Sequence, residues 1–207
     1  MRVSALVLAA GSSQRMGTPK ALLEIDDQTF LERIVERLLE GGVSRVVVVT
    51  GGDHAEEIEE AVKAIIAKEV ESRVALLHNR DPEEGPVSSV RVGIRSEQSR
   101  VEGVLIHPVD IPRLESDDVS AILSTAEAMP EADAVIPSVE HRRGHPLFLR
   151  IPAALKLLDV DSPATVRELL RLPDISIEYV LRENRGLLKD IDTPEDYHSD
   201  ISQTDRD

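Results

Sequence analysis

The chain has 207 residues, enough for a single domain with a buried core. Its 24 Lys and Arg against 39 Asp and Glu give a net charge of −15, which disfavours general binding to nucleic-acid phosphates or to an anionic membrane surface. The sequence has no cysteine, so disulfides, a thiol nucleophile and cysteine-built metal sites are excluded. The apolar runs are far shorter than the ~20 residues of a membrane span, and we predict a soluble, cytoplasmic protein.

Short apolar runs alternate with amphipathic stretches of helical length. The runs are rich in β-branched residues and leucine and mostly lack polar alternation, which is typical of strands covered on both faces: Val3–Ala9, Val46–Thr50, Val74–Leu77, Val104–Ile106 and Ala134–Ile136. The predicted helices are Phe30–Leu39, closed by Gly41-Gly42, then His54–Ala67, Pro86–Ser96 and Ser116–Met129, with Ser116 as N-cap. The alternation predicts a parallel sheet with helices on both faces, and ligands bind such sheets at the carboxyl ends of the strands.

The second half of the chain is less regular. We predict strands at Leu147–Leu149 and Ser176–Tyr179, short helices at Pro152–Leu158 and Pro163–Arg171, and N-caps at Ser162 and Thr193, each before a proline. With no repeat and no linker-like stretch, residues 1–198 are predicted to form one domain. Residues 199–207 are predicted to be a frayed polar tail.

The loop after the first strand is the most informative segment. It reads Leu8-Ala9-Ala10-Gly11-Ser12-Ser13-Gln14-Arg15-Met16-Gly17-Thr18-Pro19-Lys20. Such a loop can turn several backbone N–H groups toward phosphates, and Arg15 and Lys20 add the positive charge that an acidic chain otherwise lacks. Five residues separate Gly11 from Gly17, which excludes the Walker pattern, and the Gly-x-Gly-x-x-Gly fingerprint is absent. The glycines alone would equally suit a polar surface loop.

The whole string resembles the signature of the MobA-like nucleotidyltransferases, Leu-Ala-Ala/Gly-Gly-x-Ser-x-Arg-Met-Gly-x-x-Lys. The resemblance implies a Rossmann-like three-layer αβα sandwich with a mostly parallel central sheet. It also implies that the loop wraps a nucleoside triphosphate, with Arg15 and Lys20 as catalytic groups on the phosphates and nucleotide contacts from Leu8, Ala9, Ala10, Gly11 and Ser12. Ala-Ala-Gly and Pro-Lys resemble the CTP-using molybdenum cofactor cytidylyltransferase branch more than the GTP-using guanylyltransferase branch.

Two acidic segments are candidate metal ligands. Asp110 follows the Val104–Ile106 run between two prolines, where a carboxylate can hold a cation or cap a turn; the resemblance implies a catalytic metal ligand. Asp192 lies in a segment that resembles the family's C-terminal Asp-x-Asp/Asn-Thr-Pro-Glu-Asp motif and is implied as the second ligand, 82 residues further on. Carboxylate and phosphate oxygens suit Mg²⁺, the predicted cofactor. Asp190 is left open as a further ligand, and Glu195 and Asp196 are expected to cap the following helix.

Further motifs point to the base and to the acceptor. Ser88 and Ser89, in a segment that resembles the family's Gly-x-x-x-Ser-Leu, are predicted either to bind the nucleotide base or to cap a helix, and Asn79 is a similar candidate. His145, within Gly144-His145-Pro146, matches the Gly-His/Asn-Pro motif of the cytidylyltransferase-like branch, which the resemblance places beside the acceptor pocket. The neighbouring Arg142 and Arg143 are either acceptor-phosphate contacts or ordinary loop residues.

One departure concerns the acceptor. Relatives that act on molybdopterin often have Gly-Asp-x-Gly-Ala-Arg where this chain has Val-Asp-Ser-Pro-Ala-Thr at residues 160–165. The expected activity is Mg²⁺-dependent transfer of a nucleoside monophosphate, with CTP favoured, to a phosphorylated acceptor such as molybdopterin. The alternatives are transfer from GTP, transfer to a sugar or isoprenoid phosphate, and a catalytically silent nucleotide-binding protein. The resemblance also admits a molybdoenzyme or cofactor-insertion protein as partner.

Overall fold

The computed structural model describes residues 1–11, 16–68, 73–159 and 162–204. Its strands are β1 Val3–Leu8, β2 Glu24–Ile25, β3 Gln28–Thr29, β4 Arg45–Thr50, β5 Val74–His78, β6 Gly103–Pro108, β7 Ala134–Val139, β8 Arg142–Arg143, β9 Leu147–Arg150 and β10 Ile177–Leu181. Its α-helices are α1 Phe30–Glu40, α2 Ala55–Lys68, α3 Pro86–Glu97, α4 Ser116–Ala128, α5 Ile151–Leu155, α6 Val166–Leu169 and α7 Pro194–Thr204. Short 3₁₀ turns cover Lys20–Leu22, Pro82–Glu84, Lys156–Leu158 and Arg185–Leu188.

The central sheet has the order β10-β7-β9-β6-β1-β4-β5, and β8 pairs with β7. The pairs β1–β4, β1–β6, β4–β5 and β7–β10 are parallel, whereas β9 runs antiparallel to both β6 and β7. Because β1, β4, β5 and β6 are parallel, their carboxyl ends meet at one edge of the sheet. The predicted mostly parallel sheet is confirmed.

Two apolar clusters cover the two faces of this sheet. One cluster joins strand residues such as Val7 and Val48 to α1, α2 and α4. The other joins Leu6 and Val47, which point to the opposite face, to α3, α5 and α6. The strands are therefore buried on both sides, as their uninterrupted apolar runs predict, and the three-layer αβα arrangement is confirmed.

The structure departs from the predicted elements in several places. Helix α4 takes Glu115 as N-cap, so Ser116 is its first residue and the predicted cap is wrong. Helix α6 begins after Thr165, which accepts a hydrogen bond from the Glu168 N–H, and not after Ser162. Helix α7 passes the predicted boundary at residue 198, and its Asp200 is buried, so residues 199–204 are helical where a frayed tail was predicted. The β2–β3 hairpin and β8 were not predicted.

Among the described residues, no helix is long and apolar enough to cross a membrane.

Candidate active site

A cleft of about 440 Å³ opens at the carboxyl ends of β1 and β6. Backbone hydrogen bonds continue the strand pairing into this edge, from Ala9 N–H to the Val49 carbonyl (2.9 Å) and from Val109 N–H to the Leu8 carbonyl (3.1 Å). The cleft is lined by the predicted nucleotide loop together with more distant segments: Leu8, Ala9, Ala10, Gly11, Lys20, Ala21, Ile58, Pro82, Gly85, Pro86, Ser89, Pro108, Val109, Asp110 and Asp192. Six predicted nucleotide-binding positions, Lys20 among them, and both predicted metal ligands thus share one cleft.

Lys20 joins the two predicted metal ligands directly. Its ammonium donates to Asp192 Oδ1 at 2.5 Å and to Asp110 Oδ2 at 3.2 Å. Burial lowers the pKa of Lys20, but the hydrogen bond to Asp192 and the charge of Asp110 outweigh that effect, so the pKa is raised above its ordinary value. Lys20 is therefore a cation at neutral pH, and the fold brings together two carboxylates that lie 82 residues apart in the sequence.

The chain holds Asp192 beside Asp110 through the backbone. The Ile191 N–H donates to the Asp110 carbonyl at 2.8 Å, and the Ile191 side chain is fully buried in a small cluster with Ile25 and Phe30. On the far side, the Asp196 carboxylate accepts from the Thr193 N–H at 2.9 Å and caps α7, as predicted for this residue. Asp192 is thus fixed between a buried anchor and a capped helix.

Asp190 lies near this pair without joining it. Burial and the charges of Asp110 and Asp192 raise the pKa of Asp190, while His145 and Lys20 partly oppose the shift. Within the described ranges, no three His, Cys, Asp or Glu side chains lie close enough together to hold a metal ion. The two carboxylates fit a divalent cation in their chemistry, since they are hard oxygen donors and already accept a cationic partner in Lys20.

Asn79, Ser88 and Ser89 form one buried polar group. The Asn79 amide donates to Ser88 Oγ at 2.7 Å and to Ser89 Oγ at 2.9 Å, and the Ser88 hydroxyl donates to the Gly85 carbonyl at 2.8 Å. Ser89 lines the cleft, whereas Asn79 and Ser88 line a second pocket. Gly85 is the N-cap of α3, so Ser88 supports the start of the helix without capping it in the usual way.

The predicted acceptor residues are separated by the structure. His145 packs edge-to-face on the buried His107, with ring centroids 6.5 Å apart, and burial lowers the pKa of His145 although the charges of Asp190 and Asp110 oppose that shift. Arg143 instead lies in exposed β8 with its guanidinium over the Tyr179 ring, 5.4 Å from the centroid. His145 therefore remains near the carboxylates, while Arg143 packs at the outer part of the sheet.

Some predicted positions lie outside the described residues. These are Ser12 and Arg15 of the nucleotide loop, and Val160 and Asp161 of the segment that departs from the molybdopterin-specific pattern. The nucleotide and catalytic roles assigned to Ser12 and Arg15 stay predictions.

Sequence reasoning missed the ion pairs that hold α7 in place. The buried Asp200 accepts from Arg113 Nε at 2.8 Å and from Lys189 Nζ at 2.9 Å, and Arg113 follows Asp110 by three residues. The only signal in the sequence is an acidic residue four positions after Asp196 on a helix, where a solvated side chain is the ordinary expectation. The partners come from distant segments, so spacing alone could not reveal them.

The fold and the position of its cleft are those of a nucleotide-binding α/β protein. More narrowly, the chain belongs to the MobA-like NTP transferase domain family, whose sequence model matches residues 5–179. It is thus a member of a nucleotidyltransferase family whose proteins bind nucleoside triphosphates and a phosphorylated acceptor and typically use divalent metals. The family resemblance stated from the sequence is confirmed.

Individual relatives agree with this assignment. A molybdenum cofactor cytidylyltransferase of Escherichia coli K12 is 27% identical over 94% of this chain and 93% of its own length. A probable molybdenum cofactor guanylyltransferase of Bacillus cytotoxicus is 33% identical over 68% of this chain and 64% of its own length. A manganese complex of a Mycobacterium tuberculosis H37Rv protein shares the fold with a TM-score of 0.75 at 20% identity, covering 98% of this chain and 99% of the other.

Proposed function

We propose that the protein transfers a nucleoside monophosphate, with CTP as the favoured donor, to the phosphate of a small acceptor such as a molybdopterin cofactor. The single observation that carries this proposal is the meeting of Lys20, Asp110 and Asp192 in the cleft beside Leu8–Gly11. The cytidylyltransferase relative supports CTP, because its similarity extends over 94% of this chain.

In the proposed reaction, an oxygen of the acceptor phosphate attacks the α-phosphorus of the triphosphate and pyrophosphate leaves. The acceptor phosphate is ionised near neutral pH, so no protein nucleophile is required. The protein aligns the two phosphates and neutralises their charge. Lys20 would supply a positive charge to the phosphates, and Asp110 and Asp192 would hold a divalent cation, Mg²⁺ in this proposal. That cation, when bound, would offset the negative charge of the triphosphate.

The experiment is a pyrophosphate-release assay with each nucleoside triphosphate and a panel of phosphorylated acceptors. We expect Asp110→Asn to lower kcat by about a hundredfold or more, since it weakens the hold on the cation. Asp174→Asn is the matched control, because Asp174 pairs with Lys156 in an exposed salt bridge. Unchanged turnover in the Asp110 variant, with its circular dichroism intact, would rule out the proposed role.

GTP is the second donor to test. The specific observation in its favour is the relative with 33% identity, which is named as a probable guanylyltransferase. Titration of CTP and GTP by calorimetry in the presence of Mg²⁺ separates the two, because the preferred donor binds with the lower Kd. A protein that binds a nucleotide and releases no pyrophosphate with any acceptor would instead be catalytically silent.

A further inference from the structure

The ammonium of Lys20 occupies the position between two carboxylates that a metal ion would need. Its side chain is 13% exposed, and its contacts use an oxygen of Asp110 and an oxygen of Asp192. The two aspartates are more open, at 28% and 38% exposed. The cation is thus the most deeply placed member of the group, and the carboxylates reach the solvent beside it.

In this arrangement Lys20 and a divalent cation compete for the same two carboxylates. Lys20 engages one oxygen of each carboxylate, and a second cation within about 4 Å of the ammonium meets strong repulsion in a partly buried site. The described residues offer no third carboxylate or imidazole close enough to compensate. A metal ion that arrives alone therefore meets the positive charge of Lys20 and brings no negative charge to offset it.

The backbone of Lys20 is fixed while its side chain can move. Lys20 opens a short 3₁₀ turn, its carbonyl accepts from the Leu23 N–H at 3.1 Å, and the next residue, Ala21, is buried at 1% exposure. The four-carbon stem still allows the ammonium to turn by rotation about its single bonds. Lys20 can exchange partners without a change in the fold.

We propose that Lys20 acts as an internal counter-ion that keeps divalent cations out of the nucleotide-free site and yields that site only when a polyphosphate arrives. This inference rests on the proposed function, in which the carboxylates hold the metal and Lys20 faces phosphate. The triphosphate brings negative charge that attracts both the ammonium and the metal ion, so metal and nucleotide bind together. The nucleotide-free protein consequently binds metal ions weakly. Lys20 alone makes metal binding depend on the nucleotide.

The test measures Mn²⁺ binding to the nucleotide-free protein by electron paramagnetic resonance of the free ion. Lys20→Met keeps the length of the side chain and removes the charge, and we expect it to lower the Kd for Mn²⁺ by about tenfold or more. Lys189→Met is the matched control. It removes the same charge three residues from Asp192, yet Lys189 pairs with Asp200 and not with either carboxylate. Arg113 still pairs with Asp200 in this variant, so α7 keeps an ionic contact, and we expect the Kd to change by about twofold or less.

The same variants are then titrated with Mn²⁺ in the presence of CTP. We expect the wild-type protein to gain affinity for Mn²⁺ on adding CTP, and Lys20→Met to gain much less, because its carboxylates are already accessible. Equal Mn²⁺ affinity of wild type and Lys20→Met without nucleotide would overturn the inference. So would an equal tightening in Lys189→Met, since the effect would then be one of net charge alone.

Failure of the proposed function gives a different result. Asp110→Asn and Asp192→Asn should each weaken Mn²⁺ binding in the Lys20→Met background. If neither does, these carboxylates are not the metal ligands, and the proposed site fails together with the inference. If both do while Lys20→Met leaves the Kd unchanged, the proposed site stands and only the role of Lys20 as internal counter-ion is lost.

Discussion

At the scale of single residues, Asn79 is the buried group on which the start of α3 depends. It is 2% exposed, and its amide donates to two hydroxyls while its carbonyl accepts from the Asp81 N–H at 3.1 Å. We expect Asn79→Ala to lower the free energy of unfolding by about 1–3 kcal/mol, because buried polar groups lose their partner. Chemical denaturation measures that change.

The kinetic effect of Asn79→Ala should appear in KM. Ser89 lines the cleft and Asn79 orients it, so we expect a higher KM for the nucleotide with a smaller change in kcat. Ser96→Ala is the control, since Ser96 is a serine of the same helix that bonds only its neighbour Glu97 in the described hydrogen bonds. A loss of kcat at unchanged KM would contradict the assigned positioning role.

The buried His107 should make the stability of the fold depend on pH. Burial, followed by the effect of His145, lowers its pKa from 6.5 to about 3, and its Nε2 donates to the Ile111 carbonyl at 2.9 Å. Between these pH values the unfolded chain binds a proton that the folded chain does not. Stability is therefore full above about pH 6.5 and is lost as the pH falls toward 3, by at most about 1.4 kcal/mol per pH unit from this group.

The measurement is the urea midpoint as a function of pH. We expect His107→Gln, which keeps a donor for the Ile111 carbonyl and cannot protonate in this range, to reduce the slope between pH 6.5 and 4. His141→Gln is the control, because His141 lies exposed in the turn between β7 and β8. An unchanged slope in the His107 variant would show that other groups dominate the acid sensitivity.

At the scale of elements, ion pairs hold α7 against the segment that follows β6, which contains Asp110 and Arg113. Asp200 is 3% exposed and pairs with Arg113 and Lys189, so removing its carboxylate leaves two cations without that partner. We expect Asp200→Asn to lower the free energy of unfolding by about 1–3 kcal/mol, less than for a fully buried pair because both cations reach solvent. The same change should weaken Mn²⁺ binding, since α7 follows Asp192 directly.

Thermal unfolding and the Mn²⁺ titration check these two effects together. Asp174→Asn again serves as control, because its exposed pair with Lys156 should leave both measurements unchanged. If Asp200→Asn lowers the Tm but leaves Mn²⁺ affinity intact, α7 supports the fold without positioning Asp192.

The strands β1, β4, β5, β6 and β7 were predictable because burial on both faces forces continuous apolar runs. The two-residue strands β2, β3 and β8 were not, because they are too short to show any periodicity. The antiparallel position of β9 between β6 and β7 could not be predicted from the sequence either, since strand order depends on contacts between distant segments.

The candidate site, like the fold, was predictable from the sequence only in part. The loop Leu8–Lys20 and Asp110 could be found from local motifs at the end of a strand. The contact of Lys20 with both carboxylates could not, because the motif assigns that lysine to phosphate and says nothing about its partner without nucleotide. Likewise, Asn79 and Ser88 were predicted separately, and only the fold shows that they share hydrogen bonds.

At the scale of the whole molecule, a net charge of −15 opposes the approach of an anionic nucleotide. Salt screens this long-range repulsion, with a Debye length of about 30 Å at 0.01 M and about 8 Å at 0.15 M. We therefore expect kcat/KM for the nucleotide to rise as KCl increases from 0.01 to 0.15 M at fixed free Mg²⁺, with kcat nearly constant. Steady-state assays over this range measure both. A fall in kcat/KM would mean that the local charge of the cleft, with Lys20 and Arg15 as its predicted cations, outweighs the field of the rest of the protein.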